Sequence, residues 1–136
     1  MIKTIQKGSL VYQAAEGIAA PHAFTTRLGG VSEGYLASLN IGTSRGDQRE
    51  NVEENYAILG RTLGFDPKGV VLSRQVHSDI VHVVTAEDRG AGLYAPHLPD
   101  CDGLVTDVPG VTLVVFSADC TPILFYDPKT GAVGAA

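Results

Sequence analysis

Apolar positions along this chain form short β-like runs around a single stretch with helical spacing. Leu10 to Gln13 and His22 to Thr26 read as strands, separated by a loop around Gly17 and Pro21. A glycine-rich turn follows at Leu28 to Gly34. Asp47 stands where a helix N-cap is expected, with Glu50 placed to complete a capping box. Val52, Tyr56, Leu59 and Leu63 then fall on one helical face, Gly64 ends the helix, and Pro67 prevents its continuation. Val70 to Leu72 and Ile80 to Thr85 read as β, with His77 near the break between them. Ala86 to Cys101, punctuated by Gly90, Gly92, Pro96 and Pro99, reads as a long loop. Gly103 to Thr106, Val111 to Phe116, Ile123 to Tyr126 and Ala132 to Ala135 complete the β runs. Turns at Pro109-Gly110 and Asp127 to Gly131 connect them. One helix among these strands predicts α+β or mixed α/β, with a mixed, largely antiparallel sheet, in a single domain over residues 1–136.

Composition narrows the function classes. A chain of 136 residues, 44% hydrophobic and 18% charged, can bury a core and fits a globular protein. Its net charge of −5 lacks the positive stripe that nucleic acid or an anionic membrane requires, so neither is expected as a partner. Met1 to Lys7 has no signal-peptide core, and the apolar run Val111 to Phe116 is too short to span a bilayer. A cytoplasmic protein with reduced thiols is the expectation. The two cysteines admit one bridge, Cys101–Cys120, and make no disulfide framework.

Chemistry concentrates at two strand exits. Cys120 follows an apolar strand beside Asp119 and just before Pro122, and His77 closes the run Val70 to Val76. Imidazole nitrogen and thiolate are favoured donors to zinc or copper. The same two residues could instead be a nucleophile and its base, with Asp119 or Gln75 orienting the imidazole. The plain alternative is a buried cysteine and a hydrogen-bonded turn histidine. Arg27 enters the turn Leu28-Gly29-Gly30, where glycines permit close approach and a guanidinium can grip an oxyanion; the plain alternative, which the residues alone favour, is an ordinary turn with a surface Arg. Asn40 offers a polar contact or an Asx turn. His22, His82 and His97 have no supporting pattern, and His82 is expected to face solvent.

Taken together, several segments form a recognisable series. In order they are F-T-T-R-x-G-G-V-S-x-G, S-L-N-x-G, G-D-x-x-x-x-V-x-x-N, Q-V-H, D-G-L-V-T and A-D-C-x-P-I-L-F-x-D-P. The series resembles the YfiH-type family, labelled multicopper polyphenol oxidase or laccase-domain proteins. The resemblance implies a mixed α/β sandwich, like that of a deamidating bacterial toxin that uses Cys and His. It also implies a zinc-dependent purine nucleoside phosphorylase, with phosphate as co-substrate and purine nucleosides as substrates. Adenosine deamination and methylthioadenosine cleavage are implied as further activities. His77 and Cys120 correspond to two of the family's three metal ligands; Arg27 with its glycine turn is expected to position phosphate or the ribose-bearing substrate, and Asn40 to add a substrate contact. The third ligand is a histidine in an H-A-G-W-R-G segment that follows V-G-A-A, where this chain ends at Val133 to Ala136. Family members being nearly twice as long, the chain is expected to be an N-terminal half, inactive alone or a binding module, with a sheet edge near Ala132 to Ala136 open to self-association. Copper is less expected than zinc, because four histidines without an H-x-H pair cannot furnish a multicopper cluster. Departures from the family pattern are Tyr56 for Arg, Ser78 for Gly and Cys101 for Ala.

Overall fold

The computed structural model describes all 136 residues, which group into two compact units, Met1–Phe65 and Asp66–Ala136. In the first, β1 (Ile2–Lys7) and β2 (Leu10–Ala15) form an antiparallel hairpin closed by Gly8-Ser9, with Gly8 at φ 61°. β3 (Phe24–Thr25) pairs antiparallel with the other side of β2. β1 has no counterpart in the sequence reading. Only Ile5 is half-buried in it, so its alternation carries little apolar contrast, and its place comes from backbone pairing with β2.

Helix α1 (Arg49–Leu63) turns Val52, Tyr56 and Leu59 inward, as their spacing predicts. Leu59 joins Leu10, Tyr12 and Leu39 in a buried cluster, and each such side chain contributes roughly 1.5–3 kcal/mol by leaving water. Gly64 ends the helix in the left-handed region at φ 85°, its N–H returning to the Gly60 carbonyl at 2.8 Å. The N-cap is Gln48, not Asp47, and no side chain caps it. The Asp47 carboxylate is spent elsewhere, accepting from Ser32 Oγ at 2.6 Å, Asn40 Nδ2 at 3.0 Å and Asn51 Nδ2 at 3.1 Å.

The second unit holds two sheets. β4 (Val70–Leu72) pairs parallel with β7 (Thr112–Val114), and all three β4 residues are fully buried, as parallel strands covered on both faces usually are. The other sheet has the order β5-β6-β9-β8, from β5 (Val81–Val83), β6 (Gly103–Thr106), β8 (Leu124–Tyr126) and β9 (Val133–Ala135). β5 and β6 run parallel; β6–β9 and β8–β9 are antiparallel. The fold is thus mixed α/β with several sheets, the antiparallel pairs in the majority. The core of this unit gathers Val71, Val84, Ala91, Leu98, Cys101 and Leu104.

Two expectations are corrected here. β9 is not a sheet edge: it is paired on one side with β6 and on the other with β8, and Ala136 and Ile123 exchange backbone bonds beyond it. The edges are β5 and β8. His82 does not turn to the solvent side of β5. It pairs with buried Leu104 and shares its face, with its ring 3.7 Å from Asp88, while Val81 and Val83 are the exposed residues at 61% and 68%. Alternation shows which side chains share a face; which face is covered depends on neighbouring strands.

Candidate active site

The parallel pairing of β4 with β7 sends both chains out of the sheet at the same end, and these exits carry His77 and Cys120. The ladder proper closes with Ser73 N–H donating to the Val114 carbonyl at 3.1 Å. Beyond it a side chain takes over from backbone. Gln75 Nε2 donates to the Phe116 carbonyl at 2.9 Å, and Gln75 Oε1 accepts the Phe116 N–H at 2.7 Å. Ser73 Oγ also donates to Gln75 Oε1, at 3.0 Å. The primary amide therefore acts as one more rung of sheet. Gln75 is thus committed to Phe116, which leaves Asp119 as the group to orient the His77 imidazole in the metal-free hydrolase reading.

His77 itself sits at φ 60°, a left-handed conformation that costs a non-glycine residue roughly 1–2 kcal/mol. Asp102 compensates from the position just before β6. Its carboxylate accepts the backbone N–H groups of Val76 at 3.1 Å, His77 at 2.9 Å and Ser78 at 2.8 Å, and the Ser78 hydroxyl at 2.7 Å. The Ser78 hydroxyl, then these N–H donors, hold the Asp102 carboxyl far below the ordinary carboxylate range. Ser78, one of the departures from the family pattern, thus strengthens the anchor. Asp102 was visible in the sequence only as part of D-G-L-V-T, because its partners lie in a distant segment.

Cys120 is exposed, in a turn where Ser117 Oγ donates to the Cys120 carbonyl. Cys101 is buried and free, its thiol pushed up by burial, so no bridge joins the two. No three His, Cys, Asp or Glu side chains come close enough together to hold a metal ion. His77 and Cys120 have the donor chemistry of a zinc site, but residues 1–136 do not complete one. Two of the other histidines are already engaged. The His22 ring lies 2.8 Å from both the Ala15 N–H and the Ala20 carbonyl, and His82 faces Asp88.

Arg27 and Asn40 belong to the Met1–Phe65 unit. The Arg27 guanidinium is exposed and donates through Nε to the Ala37 carbonyl at 2.7 Å and through Nη2 to the Tyr35 carbonyl at 3.2 Å. The N–H groups of Gly29 and Gly30, which could have cradled an anion, point instead at Ser38 Oγ. Asn40 makes the Asx turn, accepting from Gly42 N–H at 3.1 Å while its Nδ2 donates to Gly42 O and Asp47 Oδ2. Behind this loop lies the fully buried Asn55, to which the sequence assigned no role beyond its place in a motif. Asn55 accepts the Val31 N–H at 2.8 Å and donates to Ser32 Oγ at 2.9 Å and to the Asn40 carbonyl at 2.7 Å. The motif G-D-x-x-x-x-V-x-x-N named Asp47 and Asn55 together; the structure gives the reason, since both tie down the Arg27–Asn40 loop.

Residues 21–136 match the family model described as multi-copper polyphenol oxidoreductase laccase. A purine nucleoside phosphorylase of Deinococcus radiodurans is 45% identical over 122 residues, which are 90% of this chain and 44% of that protein. The purine nucleoside phosphorylase YlmD of Geobacillus stearothermophilus is 44% identical over 114 residues, covering 82% of this chain and 42% of the relative. The crystal structure of that YlmD superposes with a TM-score of 0.87 at 39% identity, over 98% of this chain and 51% of the other. The crystal structure of the Bacillus licheniformis hypothetical protein YfiH gives 0.81 at 34% identity, over 96% and 49%. The chain spans about half the length of the curated relatives it matches.

Proposed function

We propose, because this chain belongs to the multi-copper polyphenol oxidoreductase laccase family and its relatives are named purine nucleoside phosphorylases, that it serves the phosphorolysis of purine nucleosides. The observation that carries this reading is the placing of an imidazole and an exposed thiol at neighbouring exits of one parallel strand pair. Phosphorolysis exchanges the bond between the ribose carbon and the base for a bond to phosphate, which calls for an anion contact and an electrophile. Arg27, within the Met1–Phe65 unit, keeps guanidinium donors toward solvent, a chemistry suited to an anion such as phosphate. His77 and Cys120 would hold zinc with a third donor from outside residues 1–136, and the metal would polarise a water or a substrate atom. Copper is the less suitable metal, because a multicopper cluster needs more imidazoles than four, of which His22 and His82 are already engaged. Asn40, with its amide in the Asx turn, shapes the loop that carries Arg27. Adenosine deamination, methylthioadenosine cleavage and a cytoplasmic location belong to the same proposal.

The test joins the part of the Geobacillus stearothermophilus relative that lies beyond the matched region to the end of this chain. Given inosine and phosphate, the chimera should release hypoxanthine and ribose 1-phosphate, and His77→Ala or Cys120→Ala should bring it to background. The 136-residue chain alone should bind little zinc and show no turnover. Phosphorolysis that survives Cys120→Ala would sink the reading, as would hydrolysis of an amide substrate that persists under chelation while nucleosides are untouched.

A further inference from the structure

We propose that Gln75 is a positioning residue, whose side-chain amide sets the separation of His77 from Cys120. The inference rests on reading those two residues as partners in one site. The backbone ladder between β4 and β7 ends before either residue is reached, with the bond from Ser73 N–H to Val114 O. Past that point the segment carrying His77 is tied to Asp102, which takes three successive N–H groups, and not to the β7 chain. Without a further tie the two exits would be free to diverge. Gln75 supplies that tie with a donor and an acceptor on the same residue, Phe116, so the contact resists both sliding and spreading. The amide is half-buried, and Ser73 Oγ steadies its oxygen, which shields the pair from competing water. His77 is therefore held from two sides, by Asp102 at its own backbone and by Gln75 against the strand exit leading to Cys120. No other residue type does this work equally. Asn is one methylene shorter, and Glu offers two acceptors where the Phe116 carbonyl needs a donor.

The separation can be read chemically. His77→Cys places a second thiol opposite Cys120, and a glutathione redox buffer then measures the effective concentration of one thiol at the other, while buried Cys101 stays unreactive. Adding Gln75→Ala should lower that effective concentration at least roughly ten-fold, as expected when a fixed geometry becomes a flexible one. Gln75→Glu, which sets a carboxylate oxygen against the Phe116 carbonyl in place of the donor, should lower it at least as far and serves as the test should Gln75→Ala fail to fold. Val84→Ala, a core change in the same unit away from both exits, should lower the urea midpoint and leave the effective concentration unchanged. An effective concentration that does not respond to Gln75→Ala or Gln75→Glu would overturn the positioning role and leave the pairing of the two residues intact. Failure of the disulfide to form with Gln75 in place would overturn the pairing, and the positioning role with it.

Discussion

Replacing Asn55 by Ala is the sharpest probe of the loop that carries Arg27. The side chain is fully buried and makes three hydrogen bonds, to Val31 N–H, Ser32 Oγ and the Asn40 carbonyl. The three partners lose unequally. Water can reach Val31, and Ser32 keeps Asp47 as an acceptor, so each of these losses is worth roughly 0.5–1 kcal/mol. The partly buried Asn40 carbonyl loses the Asn55 donor at about 1 kcal/mol, and the small cavity adds a similar amount. The sum is about 3 kcal/mol. With a urea slope of roughly 1.5 kcal/mol/M for a chain of this size, the midpoint should fall by about 2 M. Circular dichroism at 222 nm is the right assay, since α1, which carries Asn55, is the only α-helix of the chain. Asn51→Ala, which loses one partly buried bond to Asp47, should cost less than Asn55→Ala, roughly 0.5–1.5 kcal/mol. Asn55→Asp, close to the same shape, should be at least as damaging as Asn55→Ala, because it removes both donors and sets a second carboxylate beside Ser32 and Asp47. A midpoint shift under about 0.5 M for Asn55→Ala would refute the network as the loop's anchor.

Acid should loosen the protein through Asp47 and Asp102. Hydrogen bonds, first from Ser32, bring the Asp47 carboxyl down to about 2, and Asp102 lies lower still. Depressed carboxyls stabilise the fold fully above the unfolded value near 3.8, and that contribution disappears as pH falls through the folded value. Urea midpoints should therefore be flat from neutral pH to about 4 and fall toward 2, and Asp47→Asn should show a shallower acid limb; parallel limbs would contradict the assignment. The two thiols should separate cleanly. Exposed Cys120 should react with a thiol reagent in the native chain, and Cys101, 1% exposed, only after unfolding. Two equally fast thiols would place Cys101 outside the core.

The single amphipathic helix and its glycine stop, and most of the β runs, including those that precede His77 and Cys120, were determined by the sequence alone. These features are local: helical spacing, a left-handed glycine and the run of apolar residues before each exit act within a few positions. What surrounds those features was decided by tertiary structure. Asp47 looked like a cap because a carboxylate before a helix usually is one. In the fold, Ser32, Asn40 and Asn51 converge on it and outcompete that role. β1 was invisible for want of an apolar face, and β9 gained a partner on each side that no short window could contain. The functions of Gln75 and Asp102 depend on bonds to Phe116 and to the Val76–Ser78 turn, far away along the chain. A residue type states which hydrogen bonds it can make; only the folded chain decides which partners are near enough to receive them.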